Sequence, residues 1–521
     1  MEYLKLIVTL FLCFLLRFLF IITKSSDAYL HLWLLKRYQN YGFGKHTAFN
    51  SIFNGKLPYP SFPHFIIHFF PRRHQVGLAY FLNIIYECIS IFIFYLIAKS
   101  IFTEHLIINT IPFPEPHLIA TLLFGTSPIL FPYTSRLKSF GGRTFGNLMN
   151  IIFFGSLGIC MISNNYFFIA GSVCSGILVL LSSQFGMQVM VFFSIALSIC
   201  YLSAIPISAL VLVFIFAFIL PFLGVKDIIE FKINHYMWYL RSYKLGTTAS
   251  DRNRLKDLFL YPIYLFTEPK KFFQLTFKRL SPIIAAFSLP SLVILIFWFF
   301  TDYSKFISFL NNDIIKFLFY FSLSSIIIFV LISIKWFSFL GEAERYFEYS
   351  TGAIILLFVI FSMQYGYYNL LYFMLIIHLI LIFINFIASL QQTIKKAIKI
   401  EEDINLIKLV DFLNSINDGR ILSIPTKLNF RLGYLSNENL KFYYHFIDED
   451  KIDGFKRMQN DEIIYNYVKP DFDYFINTYK INTIVAEKSA LRKTEKQYKI
   501  NYIFSSLNLV FENKEFLVYK T

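Results

Sequence analysis

Runs of eighteen or more apolar residues recur through the first three quarters of this chain. Each such run is long enough to cross a hydrocarbon core of about 30 Å. In that medium the backbone can satisfy its polar groups only as helices or as a closed barrel. Runs this long, without period-two alternation, select helices. The expected spans are 3–23, 76–99, 117–134, 145–163, 166–182, 185–201, 204–224, 282–300, 314–334, 350–364 and 368–390, about eleven crossings. Only 16% of the 521 residues are charged and 56% are hydrophobic, against about 25% charged in a soluble globular domain. The fold class is therefore a polytopic α-helical membrane protein. Residues 3–22 look like a signal peptide, but Arg17 interrupts them and no small-residue cleavage site follows, so the expectation is a retained first span.

The composition changes near residue 400. QQTIKKAIKI, residues 391–400, reads as a basic juxtamembrane helix, and residues 401–521 as a small soluble α/β domain. Leu406, Leu409, Val410 and Leu413 have the spacing of a surface helix. Strands are expected at Arg420–Ile424 and Ile481–Ala486, with the helix ending Tyr474–Tyr479 between them. A terminal hairpin over Leu507–Tyr519 should turn at Glu512–Lys514. Residues 1–390 then form the transmembrane part, with a long first loop at 24–75.

Charge is divided along the same line. Residues 401–521 hold 17 Lys and Arg against 18 Asp and Glu, whereas residues 1–400 hold 31 against 15. A basic membrane part suits anionic headgroups and lipid phosphates. Nucleic acid is excluded as a partner, because no basic soluble module is present. The five cysteines lie inside apolar spans without a CxxC pair, so neither a zinc site nor a disulfide framework is indicated.

An odd number of crossings puts the two termini on opposite sides. With a cytoplasmic N-terminus, the loops 24–75, 135–144 and 335–349 share the outer side with the C-terminal domain. Loop 225–281 falls there too. Loop 24–75 carries Lys24, Lys36, Arg37, Lys45, Lys56, Arg72 and Arg73 against the single acid Asp27, a balance that alone would favour the cytoplasm. Either the whole topology is inverted, or these bases are kept outside because they bind something. Leu30, Leu34 and Tyr38 recur at helical spacing, which predicts an amphipathic helix lying in the interface. Pro58, Pro60 and Pro63 break regular structure, and Phe65–Phe70 is too short to cross.

Three clusters can carry chemistry. Asp27 is a carboxylate at the membrane boundary, where it must be solvated, paired or used. It is equally a helix cap together with Ser25 and Ser26. His31 follows one turn later. The loop TSRLKSFGGRTFG, 134–146, brings Arg136, Lys138 and Arg143 around Gly141-Gly142. Arginine can grip a phosphate with two parallel bonds, although basic residues also snorkel beside tight turns. In FLGEAERYFEYS, 339–350, Glu344 and Glu348 stand one turn apart with Arg345 and Tyr346 between them. No GxGxxG or GxxxxGKS occurs, which leaves no nucleotide loop.

This layout resembles the GT-C superfamily of polyprenyl-phosphate-sugar-dependent glycosyltransferases. SSDAYLH matches the position of the acid that follows the first span in that family. The segment ERYFEY, Glu344 to Tyr349, is similar to Arg-Tyr elements found before a late span. INTIVAE and LVFENKEFLVYK resemble C-terminal domains of uncharacterised members. No WWDYG-like sequence occurs, as in the oligosaccharyltransferases, nor a paired Asp-Glu in the first loop, as in the protein mannosyltransferases. The resemblance implies inverting transfer of a sugar from a polyprenyl-phosphate carrier to an acceptor at the outer face of the cell or inner membrane. Asp27 would be the general base and His31 its orienting partner. Arg345 with Tyr346, Arg143 and Arg136 would hold the donor phosphate, and Glu344 and Glu348 are further candidates. With one acid in the first loop, the sequence gives no support for a divalent metal or another cofactor. Two other classes remain open: a flippase or transporter of lipid-linked glycans, favoured by mid-span charges such as Arg17, and a non-catalytic membrane scaffold.

Overall fold

Because hydrocarbon offers the backbone no hydrogen-bond partner, the apolar runs fold into a bundle of helices. The computed structural model describes residues 2–21, 28–105, 115–131, 141–242, 260, 263–272, 289–341, 343–397, 400–447, 454–460, 468–498, 501–504 and 506–521. The bundle contains α1 (Glu2–Ile21), α4 (Arg72–Ser100), α5 (Pro116–Gly125), α6 (Arg143–Ser163), α7 (Phe167–Ser182), α8 (Gln184–Tyr201) and α9 (Ile205–Ile219). It continues with α11 (Pro290–Thr301), α12 (Tyr303–Phe309), α13 (Asp313–Ser333), α14 (Phe347–Gln364) and α15 (Tyr368–Ala397). Every expected span overlaps one of these helices. Among the described residues, six are long and apolar enough to cross alone, and a seventh crossing requires counting α11 and α12 together, which meet at a 111° bend. The apolar helices Pro116–Gly125, Phe167–Ser182, Ile205–Ile219 and Tyr368–Ile384 are shorter. Length and composition alone thus identify six or seven crossings among the described residues.

Polar contacts mark the two ends of the bundle. At one end, Glu2 accepts hydrogen bonds from Lys99 (2.8 Å) and from the Tyr95 hydroxyl (2.6 Å), and Lys5 pairs with Glu115 (3.3 Å). At the other end lie the first loop and a five-stranded sheet, so the N-terminus and the sheet occupy opposite ends. Inside the bundle, Arg17 is fully buried; it faces Glu87 at 3.5 Å and donates to the carbonyls of Cys13 and Gly125. The mid-span charge that pointed toward transport is therefore closed into a helix-to-helix pair.

The sheet has the order β2-β1-β3-β5-β4, from β1 (Arg420–Ile424), β2 (Lys441–Phe442), β3 (Thr483–Glu487), β4 (Asn508–Glu512) and β5 (Phe516–Lys520). β1 runs parallel to β2 and β3, while β3, β5 and β4 are antiparallel neighbours. The two central parallel strands are buried almost throughout, as parallel strands covered on both faces must be. The expected hairpin is the pair β4 and β5.

The first loop departs from its expectation of a helix lying flat in the interface. Helix α2 (Ala28–Tyr41) is buried from His31 to Leu35 and again at Arg37 and Tyr38. Trp33 packs on Phe430 and Tyr444 of the C-terminal segment, at ring separations of 5.5 and 5.1 Å. On another face, Leu32 and Leu35 pack with Ile67, Ala79 and Tyr80. Arg37, off the line of Leu30, Leu34 and Tyr38, donates to the Leu57 carbonyl (2.7 Å) and the Ser61 hydroxyl (3.2 Å). Lys36 reaches the carbonyls of Tyr434 and Ser436 at the end of a helix, Leu428–Leu435, where the helix dipole favours a cation. The helical stripe is real, but a second surface covers what the sequence assigned to water. Beyond α2 and the short α3 (Phe62–His68), residues 50–52 dock on the edge strand β2: Phe442 N–H donates to Asn50 O (2.8 Å) and Ile52 N–H to Phe442 O (3.1 Å). An edge strand left open is a liability, and here the first loop closes it.

Helix α10 (Val225–Ser242) completes this junction. Val225 and Ile228 pack into the bundle core, whereas Phe231 and Trp238 pack with the C-terminal core. Lys56 pairs with Asp227 at 3.0 Å. The start of loop 225–281 is thereby on the same end as loop 24–75.

Candidate functional site

Asp27 and Arg136 lie outside the described residues, as do Lys24 and Lys138. His31, one turn into α2, stacks on His64 with ring centroids 5.1 Å apart, and His31 Nδ1 lies 3.0 Å from His64 Nε2. Burial pulls the His31 pKa down to about 4, so the ring is neutral near pH 7 and acts as a hydrogen-bonding group rather than a cation.

The Gly-Gly pair bears on His31 directly. A Cβ at Gly141 would stand 3.2 Å from His31 Nε2. At Gly142 a Cβ would come within 1.9 Å of the Ser182 carbonyl oxygen. The second glycine is thus required by the approach of α7 to the start of α6, which is a packing reason and not a phosphate cradle. It fixes Arg143 as the first residue of α6.

Arg143 Nη2 donates to Glu348 Oε1 at 2.7 Å, with side-chain exposures of 14% and 0%. The guanidinium also lies 5.4 Å from the Phe185 ring centre. Two clusters more than two hundred residues apart in sequence therefore meet, but in a way that commits much of the Arg143 charge to a carboxylate. Next along α6, the Thr144 hydroxyl donates to Asn83 Oδ1 on α4 (2.6 Å).

Three residues before Glu348, Arg345 is half-buried in the 3-10 turn Ala343–Tyr346 that leads into α14. Glu344 is buried. Tyr346 is fully buried, its ring 4.9 Å from Phe185, and its hydroxyl points into the bundle rather than toward open space. Beside Glu348 and Asn150 a cavity of about 110 Å³ lies between α4, α5, α6, α13 and α14, with an apolar lining that includes Phe94, Phe124, Phe154 and Phe321.

The sequence reading passed over Lys232. It sits on α10 in the stripe Val225, Ile228, Lys232, Tyr236, and only 8% of it is exposed. Its Nζ lies 4.7 Å from the Tyr236 ring centre. Burial drives its pKa down to about 7. The signal was legible: a lysine at a core position of a 3.6-residue period. Among the described residues no group of three or more His, Cys, Asp or Glu side chains converges as a metal site would require.

No family model matches the chain, and no curated protein sequence does. Solved structures match by shape. One is the archaeal oligosaccharyltransferase AglB from Archaeoglobus fulgidus in complex with an inhibitory peptide and a dolichol-phosphate, with TM-score 0.51 and 10% identity, over 96% of this chain and 70% of that one. Another is the Archaeoglobus fulgidus oligosaccharyltransferase tethered with an acceptor peptide containing the NVT sequon, with TM-score 0.50 and 11% identity, over 92% of this chain and 69% of that one. At such identities the likeness is one of fold alone.

Proposed function

We propose that this chain, which has the GT-C fold, is a membrane glycosyltransferase that transfers a sugar from a polyprenyl-phosphate carrier to an acceptor hydroxyl at the membrane surface. The observation that carries the reading is the convergence of His31, Gly141, Arg143, Glu348 and Arg345 at one end of the bundle, beside the start of α2. The structural neighbours add support, since one of them was solved with a dolichol-phosphate.

In this reading the acceptor oxygen attacks the anomeric carbon from the face opposite the phosphate. The new C–O bond forms as the C–O bond to phosphate breaks, inverting the linkage. The leaving phosphate keeps the bonding electrons, and the acceptor proton passes to Asp27. General-base assistance of this kind contributes roughly 10²–10⁴ in rate. Arg345 neutralises the departing phosphate, and His31 orients the base through its neutral ring. Arg143, already held by Glu348, positions the loop beside the phosphate. The apolar cavity beside Glu348 suits a hydrocarbon chain. We place the catalytic part in residues 1–390, and residues 401–521 beside the acceptor on the outer side of the membrane, with the N-terminus cytoplasmic. The absence of a WWDYG-like segment leaves the acceptor class open.

The test is transfer from a polyprenyl-phosphate-sugar by purified protein. Asp27→Asn should abolish transfer while the protein inserts and melts normally. Full activity in that variant would remove Asp27 from the mechanism. Arg345→Ala should weaken donor use more than acceptor use, and equal effects on both would count against the phosphate role.

A further inference from the structure

Lys232 poses an electrostatic problem that the proposed roles leave unsolved. Lys232 lies on the bundle-facing stripe of α10, between the membrane helices and the C-terminal core, and the residue as a whole is more than nine-tenths buried. Its Nζ lies over the face of Tyr236, His235 on the same helix is close enough to feel its charge, and among the described residues no carboxylate pairs with it. A buried charge without a counter-charge is costly. A ring face returns only part of that cost, about 0.5–2 kcal/mol for a cation–π contact. The nearest acids on its own helix, Asp227 and Glu230, are turned elsewhere: Asp227 to Lys56, and Glu230 to Lys226.

The surroundings are those of a place where an anion belongs. Gln188 Nε2 donates to the Tyr236 hydroxyl and reaches toward the Leu340 carbonyl at 3.4 Å. Gln188 is one turn along α8 from Phe185, whose ring meets both Arg143 and Tyr346. Lys232 thus belongs to the same end of the bundle as Arg143 and Arg345. It approaches from the α10 side, where the connection 335–346 enters α14.

We propose that Lys232, with Tyr236 and Gln188 beside it, is an anion-binding residue that takes a phosphate oxygen, the phosphate being that of the lipid-linked donor. The assignment rests on the donor reading above for the identity of the ligand, but not for the need for an anion. A bound phosphate oxygen supplies the missing counter-charge, and the lysine in turn draws the head group toward α10, away from the Arg143–Glu348 pair. Lys232 is a positioning residue in this account, since no contact with the reacting carbon is required of it.

The experiment uses full-length protein in detergent, wild type beside Lys232→Met and Lys232→Arg. Affinity is measured for a polyprenyl phosphate, for the uncharged polyprenol of equal length and for inorganic pyrophosphate, and the ligand-free melting temperature is recorded. Loss of a hydrogen bond to a charged group predicts that the Met variant binds the polyprenyl phosphate about 10- to 100-fold more weakly. Polyprenol affinity should stay unchanged, and the Arg variant should retain phosphate binding. The ligand-free Met variant should melt at or above the wild-type temperature, because it buries no charge. Equal binding of the polyprenyl phosphate by wild type and Met variant would overturn the Lys232 assignment and leave the donor reading standing. Pyrophosphate binding that depends on Lys232, with no binding of the polyprenyl phosphate, would uphold the anion site and sink the donor reading. A Met variant that melts lower and loses phosphate and polyprenol affinity alike would show a merely structural lysine, as would a wild type that binds none of the three ligands.

Discussion

The Arg143–Glu348 pair permits a quantitative test of whether the two sequence clusters are energetically one site. At 2.7 Å and an effective dielectric of about 20, the Coulomb attraction is about 6 kcal/mol. Desolvating each ion costs several kcal/mol, so the net contribution is small, but the two halves are strongly interdependent. Removing either partner deprives the other buried charge of this contact, which costs up to about 3–5 kcal/mol. Glu348 has no exposed side-chain surface, whereas Arg143 keeps 14%. Glu348→Gln should therefore cost less than Arg143→Met, because the remaining arginine can still reach water while the remaining carboxylate cannot. The double variant, a polar amide facing a flexible apolar chain, should recover about 2 kcal/mol relative to the sum of the singles, within the range of coupling between contacting residues. Unfolding in mixed micelles at pH 7, followed by intrinsic fluorescence, measures all four corners of the cycle. Additivity within about 0.5 kcal/mol would mean that the pair carries no coupling, and the convergence of α6 with α14 would lose its electrostatic basis.

Acid should loosen the junction between the first loop and the sheet. Burial holds His31 and His46 at about 4 and His445 at about 3, against 6.5 for an exposed ring. Folded-state values below the unfolded ones mean that the unfolded chain binds more protons, so the stabilisation is present above pH 6.5 and is lost as the pH falls toward 4 and 3. His445→Phe should flatten that acid limb in a melting-temperature series, and an unchanged slope would contradict it. For topology, cysteines placed singly at Glu230 and Glu438 in a background without the five native ones should react from one side of the membrane, and a cysteine at Lys305 from the other. Labelling of all three from one side would refute the assignment of bundle ends.

The membrane helices were legible because hydrocarbon admits only one local solution to the backbone problem, so length and apolarity sufficed. The terminal hairpin was legible for a similarly local reason, two apolar stretches around Glu512–Lys514. What escaped the sequence was the second covering of α2. Trp33 and Arg37 are buried by residues some four hundred positions later and by a proline-rich turn respectively, and no local pattern announces either. Arg143 and Glu348 were each singled out, yet their partnership was not, since a basic loop and an acidic turn read alike whether they face each other or water. Lys232 escapes the sequence because residues 225–281 fall between apolar spans as one loop, while Val225–Ser242 is a helix packed against both cores.

The interlock between residues 28–57 and the sheet has a consequence for biosynthesis. During translation the first loop emerges with Trp33, Leu34, Phe49 and Phe53 uncovered, and the surfaces that cover them are made only after the whole bundle has been threaded into the membrane. The earliest extramembrane piece must therefore wait for the latest. A chain truncated before residue 400 would display that greasy face permanently, and residues 401–521 produced alone would carry a socket with nothing to fill it.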